Sequence, residues 1–144
     1  MFYRRQIEVQ RKPAEVFAYL ADFSNASDWD PGIVEARRLS EGPTTVGSRF
    51  EVVALFRGRR QRFEYVVTEY DDGRRIALRG EGAKAVSDDT ITVEETNGRT
   101  RVTYQADLRL KGAFRLAEPF LGRTVRRMGD DALAGLETTL AGGA

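Results

Sequence analysis

The chain has 144 residues, 41% of them hydrophobic and 31% charged, with a formal net charge of +1. That length and mixture fit one globular domain over residues 1–144, able to bury about 68–70% of its unfolded surface, and exclude a disordered chain. The balance of 23 basic against 22 acidic residues leaves no global field to draw in nucleic acid or an anionic membrane.

Two absences narrow the chemistry further. Without Cys there is no disulfide, thiolate nucleophile or cysteine–zinc site. Without His the usual general base, the Ser-His-Asp arrangement and the commonest metal ligand are gone. Catalysis would have to run through Asp, Glu, Tyr, Lys or Arg, or through shape and desolvation, and neither metal nor cofactor is expected. The N-terminus MFYRRQIEVQ has no apolar signal core, and no apolar run approaches the roughly 18 residues of a membrane span. A cytoplasmic protein without stable membrane insertion is expected.

In chain order, Tyr3 to Val9 alternates and carries β-branched residues, which predicts a strand. Pro13 suits a first helical turn, and Val16, Phe17 and Leu20 recur at helical spacing in PAEVFAYLAD. A second short helical turn is expected over Phe23 to Ser27, before the break at DPG, which places the single Trp29 in or beside a turn. Strands are predicted over Ile33 to Leu39 and Ser48 to Phe56. RGRR around Gly58 predicts a tight hairpin into a strand from Arg60 to Tyr70. DDG at 71–73 marks a turn, followed by strands over Arg75 to Gly80 and Asp88 to Glu95. Asn97-Gly98 is a strong hairpin signal, and beyond it Val102, Tyr104, Ala106, Leu108 and Leu110 share one strand face. The period then changes. Phe114, Ala117, Leu121, Val125, Met128, Ala132, Leu136 and Leu140 form one helical stripe, on the order of 40 Å long. Pro119 predicts an irregular lead-in over Phe114 to Glu118, and Gly142 and Gly143 predict the end.

The order is strand, short helices, about six further antiparallel strands and one long helix. Each strand has one apolar face, and the final helix is the only large apolar element left to cover it. A bent sheet wrapped on one helix encloses space, so an α+β fold with an internal cavity is expected.

Particular stretches resemble a known family. PAEVFAYLADFSNASDWDPGI is similar to the N-terminal signature of the START-like, Bet v 1-like superfamily (SRPBCC), in its branch of small bacterial polyketide cyclase/dehydrase-like and lipid-transport-like proteins. VGSRFEV, YVVTEYDDGRRIALRG and TRVTYQADLRLKG resemble its later strands, and the similarity runs from Ile7 to about Leu136. The resemblance implies the helix-grip fold: a curved antiparallel sheet of about seven strands around a long C-terminal helix, with two short helices after the first strand. It also implies binding of a small hydrophobic molecule (a lipid, polyketide or isoprenoid), with a polyketide cyclase or dehydratase as the alternative. The family's aromatic cyclases steer the substrate with Arg, Tyr, Trp and Ser groups. Here Trp29 stands at the matching turn, while a clear Trp and Ser/Arg set is missing from the middle strands.

The candidate acid–base groups are Tyr65 and Tyr104, on inward faces by alternation, and Asp89, in phase with Ile91 and Val93. Asp28 and Asp30 are expected to form the turn and not a catalytic pair. The expected cavity wall comprises Trp29, Phe50, Val52, Phe56, Phe63, Ile76, Leu78, Ile91, Val93, Ala106 and Leu108, with Phe120, Val125 and Met128 from the long helix. Gly80, Gly82 and Ala106 suggest room inside. The RGRRQR hairpin, with Glu64, Glu69 and Asp71 close by, is expected to be solvated and not to bind nucleic acid. Val53 and Leu55 face outward and suggest a modest dimer patch or none, so a monomer or weak homodimer is expected.

Overall fold

The computed structural model describes residues 1–142. Strand β1 (Phe2–Val9) leads to helix α1 (Pro13–Ala21), a 3-10 turn (Phe23–Asn25) and the one-turn helix α2 (Ala26–Trp29). Six strands follow: β2 (Ile33–Arg38), β3 (Arg49–Phe56), β4 (Arg59–Asp71), β5 (Arg75–Gly82), β6 (Ala85–Thr96) and β7 (Arg99–Leu110). A 3-10 segment (Gly112–Phe120) then precedes helix α3 (Gly122–Gly142). The expected stop falls partly outside the described residues: α3 runs through Gly142, and Gly143 is not described.

All seven strands form one antiparallel sheet in the order β1-β7-β6-β5-β4-β3-β2. The crossover from β1 to the far edge at β2 is made by the short helices, so the sheet curls around what they and α3 place on its concave side. The hairpins are sharp for a local reason. Arg57 and Gly58 have φ of 52° and 79°, and Asn97 and Gly98 have 52° and 78°. Positive φ at both central residues is the type I′ turn, whose twist matches that of paired strands. Bulges at Val34 and Thr68 bend β2 and β4.

The concave face is divided lengthwise. Toward the turns that join β2–β3, β4–β5 and β6–β7, it is filled. Val16, Phe17 and Leu20 of α1 pack with Phe50, Val67, Ile76, Leu78, Ile91, Val93 and Val102 of the sheet, all nearly inaccessible. Phe17 meets Tyr70 edge-on, with ring centroids 5.7 Å apart. Leu133, Leu136 and Leu140 from the second half of α3 complete this core. The expectation that α3 alone covers the sheet is thus corrected: α1 contributes as much of the plug.

Trp29 is 3% exposed and its backbone carbonyl lies against Gly135 of α3, so close that a Cβ there would overlap it. Gly135 is what lets α2 dock on α3. Outside, Glu51 holds Arg37 and Arg62, and Asp88 holds Arg79 and Arg109. Such exposed pairs contribute little each. Val53 is only 8% exposed on this outer face, between its register partners Glu35 and Arg62, which corrects the expectation of an open apolar patch there. No helix among the described residues is long and apolar enough to cross a membrane.

Candidate ligand cavity

Toward the other end of the sheet the plug stops and a cavity of about 590 Å³ opens. This is the end of the Arg57-Gly58 hairpin, the β5–β6 turn at Ala83-Lys84, and the start of the 3-10 segment. Ten of the expected residues line it: Val52, Phe56, Phe63, Tyr65, Asp89, Tyr104, Ala106, Leu108, Val125 and Met128. Phe50, Ile76, Leu78, Ile91 and Val93 do not; they face inward as their alternation requires but lie in the filled core, Phe50 against Phe23 of the 3-10 turn. Alternation tells which face a residue takes and not how far along the strand a covering helix reaches. Phe120 is 84% exposed, because the chain turns inward one residue later. Leu121 donates its N–H to the Glu118 carbonyl at 3.1 Å and takes the buried place. Trp29 sits behind the wall, edge-on to Tyr104 at 6.2 Å between ring centroids, and borders a separate shallow groove between α2 and α3.

The room suggested by the glycines is already used. A Cβ on Gly80 would fall 2.5 Å from the Tyr65 ring, and one on Gly82 would fall 2.9 Å from the Phe63 ring. These two rings lie flat across β5, so the space widens beyond them and not at the glycines.

A polar cluster sits inside these apolar walls. Asp89 is mid-strand and 3% exposed, because β6 begins at Ala85 and not at Asp88. Ser87 Oγ donates to Asp89 Oδ1 at 2.5 Å, and Tyr104 OH donates to Oδ2 at 2.5 Å. The Tyr65 hydroxyl interacts with both Ser87 and Asp89. Asp30 joins from the loop after α2. Its Oδ1 accepts the Gly32 N–H at 2.8 Å, as a turn-forming Asp should, but the residue also borders the cavity.

Burial dominates the electrostatics. It pushes Asp89 up to about 6, against the lowering effect of the Ser87, Tyr104 and Tyr65 hydrogen bonds. Asp30 is also pushed up to about 6, first by burial and then by the charges of Asp89 and Asp131, with the Gly32 N–H opposing. Tyr65 and Tyr104 are held well above 10 by burial and by the Asp89 charge. Near neutrality the site thus holds two protonated phenols, a serine hydroxyl and two carboxyls, with the charge of Asp89 felt at Asp30.

The family described as polyketide cyclase/dehydrase and lipid transport matches residues 3–141. The chain belongs to this family. No curated protein matches it. Among solved structures, the Zhui aromatase/cyclase from Streptomyces sp. R1128 is similar with a TM-score of 0.80 at 16% identity, covering 97% of this chain and 93% of that one. A START superfamily protein from Mycobacterium smegmatis gives 0.73 at 15% identity, over 98% and 94% of the two chains. The protein TTHA0849 from Thermus thermophilus gives 0.82 at 17% identity, over 97% of each. These likenesses, at 15–17% identity, show the fold, which is the expected helix-grip fold.

Two polar members of this polyketide cyclase/dehydrase-family cavity carry no clear signal in the sequence. Ser87 is legible in principle, since it shares phase with Asp89, but a strand expected to begin at Asp88 stops one residue short of it. Asp30 has only its turn signal, and nothing in DPG tells which way the carboxylate points.

Proposed function

We propose that the chain binds a small hydrophobic molecule (a lipid, polyketide or isoprenoid) in the cavity between the sheet and α3. The observation that carries this is the cavity: about 590 Å³, walled mainly by Val, Ala, Leu, Phe and Met, with a few convergent polar groups inside. That size and lining are those of small-molecule sites in general. The reading extends to a cytoplasmic protein, monomeric or weakly dimeric, that takes up no nucleic acid; the net charge of +1 supports the last of these. Native mass spectrometry of freshly purified protein is expected to show a retained apolar molecule, or a neutral solvatochromic dye should bind with one-to-one stoichiometry. A clean ligand-free mass together with no dye binding sinks the proposal.

The buried Asp89–Tyr104–Ser87 cluster favours a second reading, that of a polyketide cyclase or dehydratase. Asp89, with its raised pKa, is suited to take a Cα proton from a β-ketone. Once it is protonated, Tyr104 no longer needs to donate to it, and its O–H can turn to the developing enolate oxygen. Under this reading Asp89→Asn and Tyr104→Phe each cut turnover of a poly-β-ketone by about 10²–10⁴. Unchanged turnover in both variants removes the enzyme reading and leaves the binder.

A further inference from the structure

The charges in the cavity wall are sorted by position. Its carboxyls, Asp30 and Asp89, gather with Tyr65 and Tyr104 in the interior. Its cations, Arg57, Arg59, Arg62 and Lys84, belong to the two hairpins at the open end. Along β4, Tyr65 lies roughly 20 Å beyond Arg59 for an extended strand. Arg62 is committed to Glu51 on the outer face. Arg57 and Arg59 are exposed and have no acidic partner among the described residues, in a chain where most arginines are paired. Lys84 is exposed too, its Nζ stacked 5.4 Å from the centroid of Phe114, itself part of the wall.

We propose that Arg57, Arg59 and Lys84 form an anion subsite at the cavity mouth, so that the ligand is an amphipathic anion seated with its charged head outward and its apolar body inward. This rests on the binder reading above and adds the ligand's charge and orientation. Unpaired cations bordering a low-dielectric cleft attract a carboxylate or phosphate, and Arg offers either a planar fork of donors. The interior works the other way: a head group that is already negative would meet two carboxyls there.

The test uses four probes that share one alkyl chain: hexadecanol, hexadecanoic acid, hexadecyl phosphate and hexadecanedioic acid, each displacing a neutral dye. The variant Arg57→Asn/Arg59→Gln/Lys84→Gln removes the three charges. All three positions are exposed, and Asn-Gly is itself a favoured type I′ pair, so the hairpin is kept. Either singly anionic-headed probe should bind about tenfold tighter than the alcohol, equivalent to about 1.4 kcal/mol. Whichever of the two gains more tells a free carboxylate from a phosphate head. The gain should shrink as salt shortens the Debye length from about 10 Å at 0.1 M to about 3 Å at 1 M. It should vanish in the triple variant, where acid, phosphate and alcohol then bind alike, and in the wild type the diacid should bind more weakly than the monoacid. Equal binding of acid, phosphate and alcohol overturns the inference and leaves the binder reading standing, as does a preference that survives in the triple variant. Failure of all four probes, with no dye bound either, removes the binder reading itself.

Discussion

Asp89→Asn is expected to change the protein's stability relative to wild type by about 2.4 kcal/mol between pH 4 and pH 8, in favour of the variant at the higher pH. The carboxyl ionises near pH 6 in the folded protein and near 3.8 in the unfolded chain. Between those values the folded state holds a proton that the unfolded state has already lost. Stability from this group is therefore present below about pH 4 and is lost as pH rises through 6. The amide that replaces the carboxyl cannot ionise, so the variant escapes that loss. Exposed carboxylates with lowered pKa values, such as Glu51, Glu81 and Asp130, act in the opposite direction in both proteins and cancel in the difference. Removing the Asp89 charge should also let Asp30 ionise at lower pH, because that charge is one of the influences holding it up. The measurement is chemical denaturation of both proteins at several pH values, with the Asp30 carboxyl followed by NMR. A difference in stability that stays flat across the range would mean that Asp89 ionises normally, and the account of the buried cluster would fail.

Truncating α3 should cost very different amounts at two positions on the same stripe. Leu136→Ala is expected to lower stability by about 2–5 kcal/mol, the usual toll for emptying a packed leucine site. Leu136 is fully inaccessible and belongs to the filled half of the concave face. Met128 lies two turns earlier and faces open space, so Met128→Ala removes fewer neighbours and should cost about 1 kcal/mol or less. Thermal and denaturant melts of the two variants decide it. Equal costs would mean that the interior is filled along its whole length and that the cavity is not there.

The fold is legible in the sequence because its signals are local and repeated. Seven period-two segments, two turn pairs with positive φ and one long helical stripe leave few ways to arrange a chain of this length. The cavity wall is half legible. Val52, Phe63, Tyr65 and Ala106 follow from phase alone, and phase is a property of the strand itself. What separates them from Phe50, Ile76 and Ile91 is where α1 and the 3-10 turn after it sit on the sheet, a long-range fact that no strand carries in its own residues. Phe120 departs from its expected place because it lies off the helical stripe: Phe114, Ala117 and Leu121 keep the stripe's face toward the cavity through the 3-10 segment, and Phe120 falls beside it, 84% exposed. Trp29 stands out in the sequence as a lone indole beside a turn. Its place is behind Tyr104 with its carbonyl on Gly135, and that small residue across the interface is a pairing the sequence alone does not reveal.

The lengthwise division of the concave face has a consequence for how such a chain can change over time. Along β6, Ile91 and Val93 serve the plug while Ser87 and Asp89 serve the hollow. Along α3, Leu133, Leu136 and Leu140 do the first job, and Val125 and Met128 the second. Heat tolerance and the lining of the hollow are thus written in different stretches of the same elements. Substitutions can re-line the hollow without loosening the plug, so its shape and polarity can drift while the melting temperature is kept.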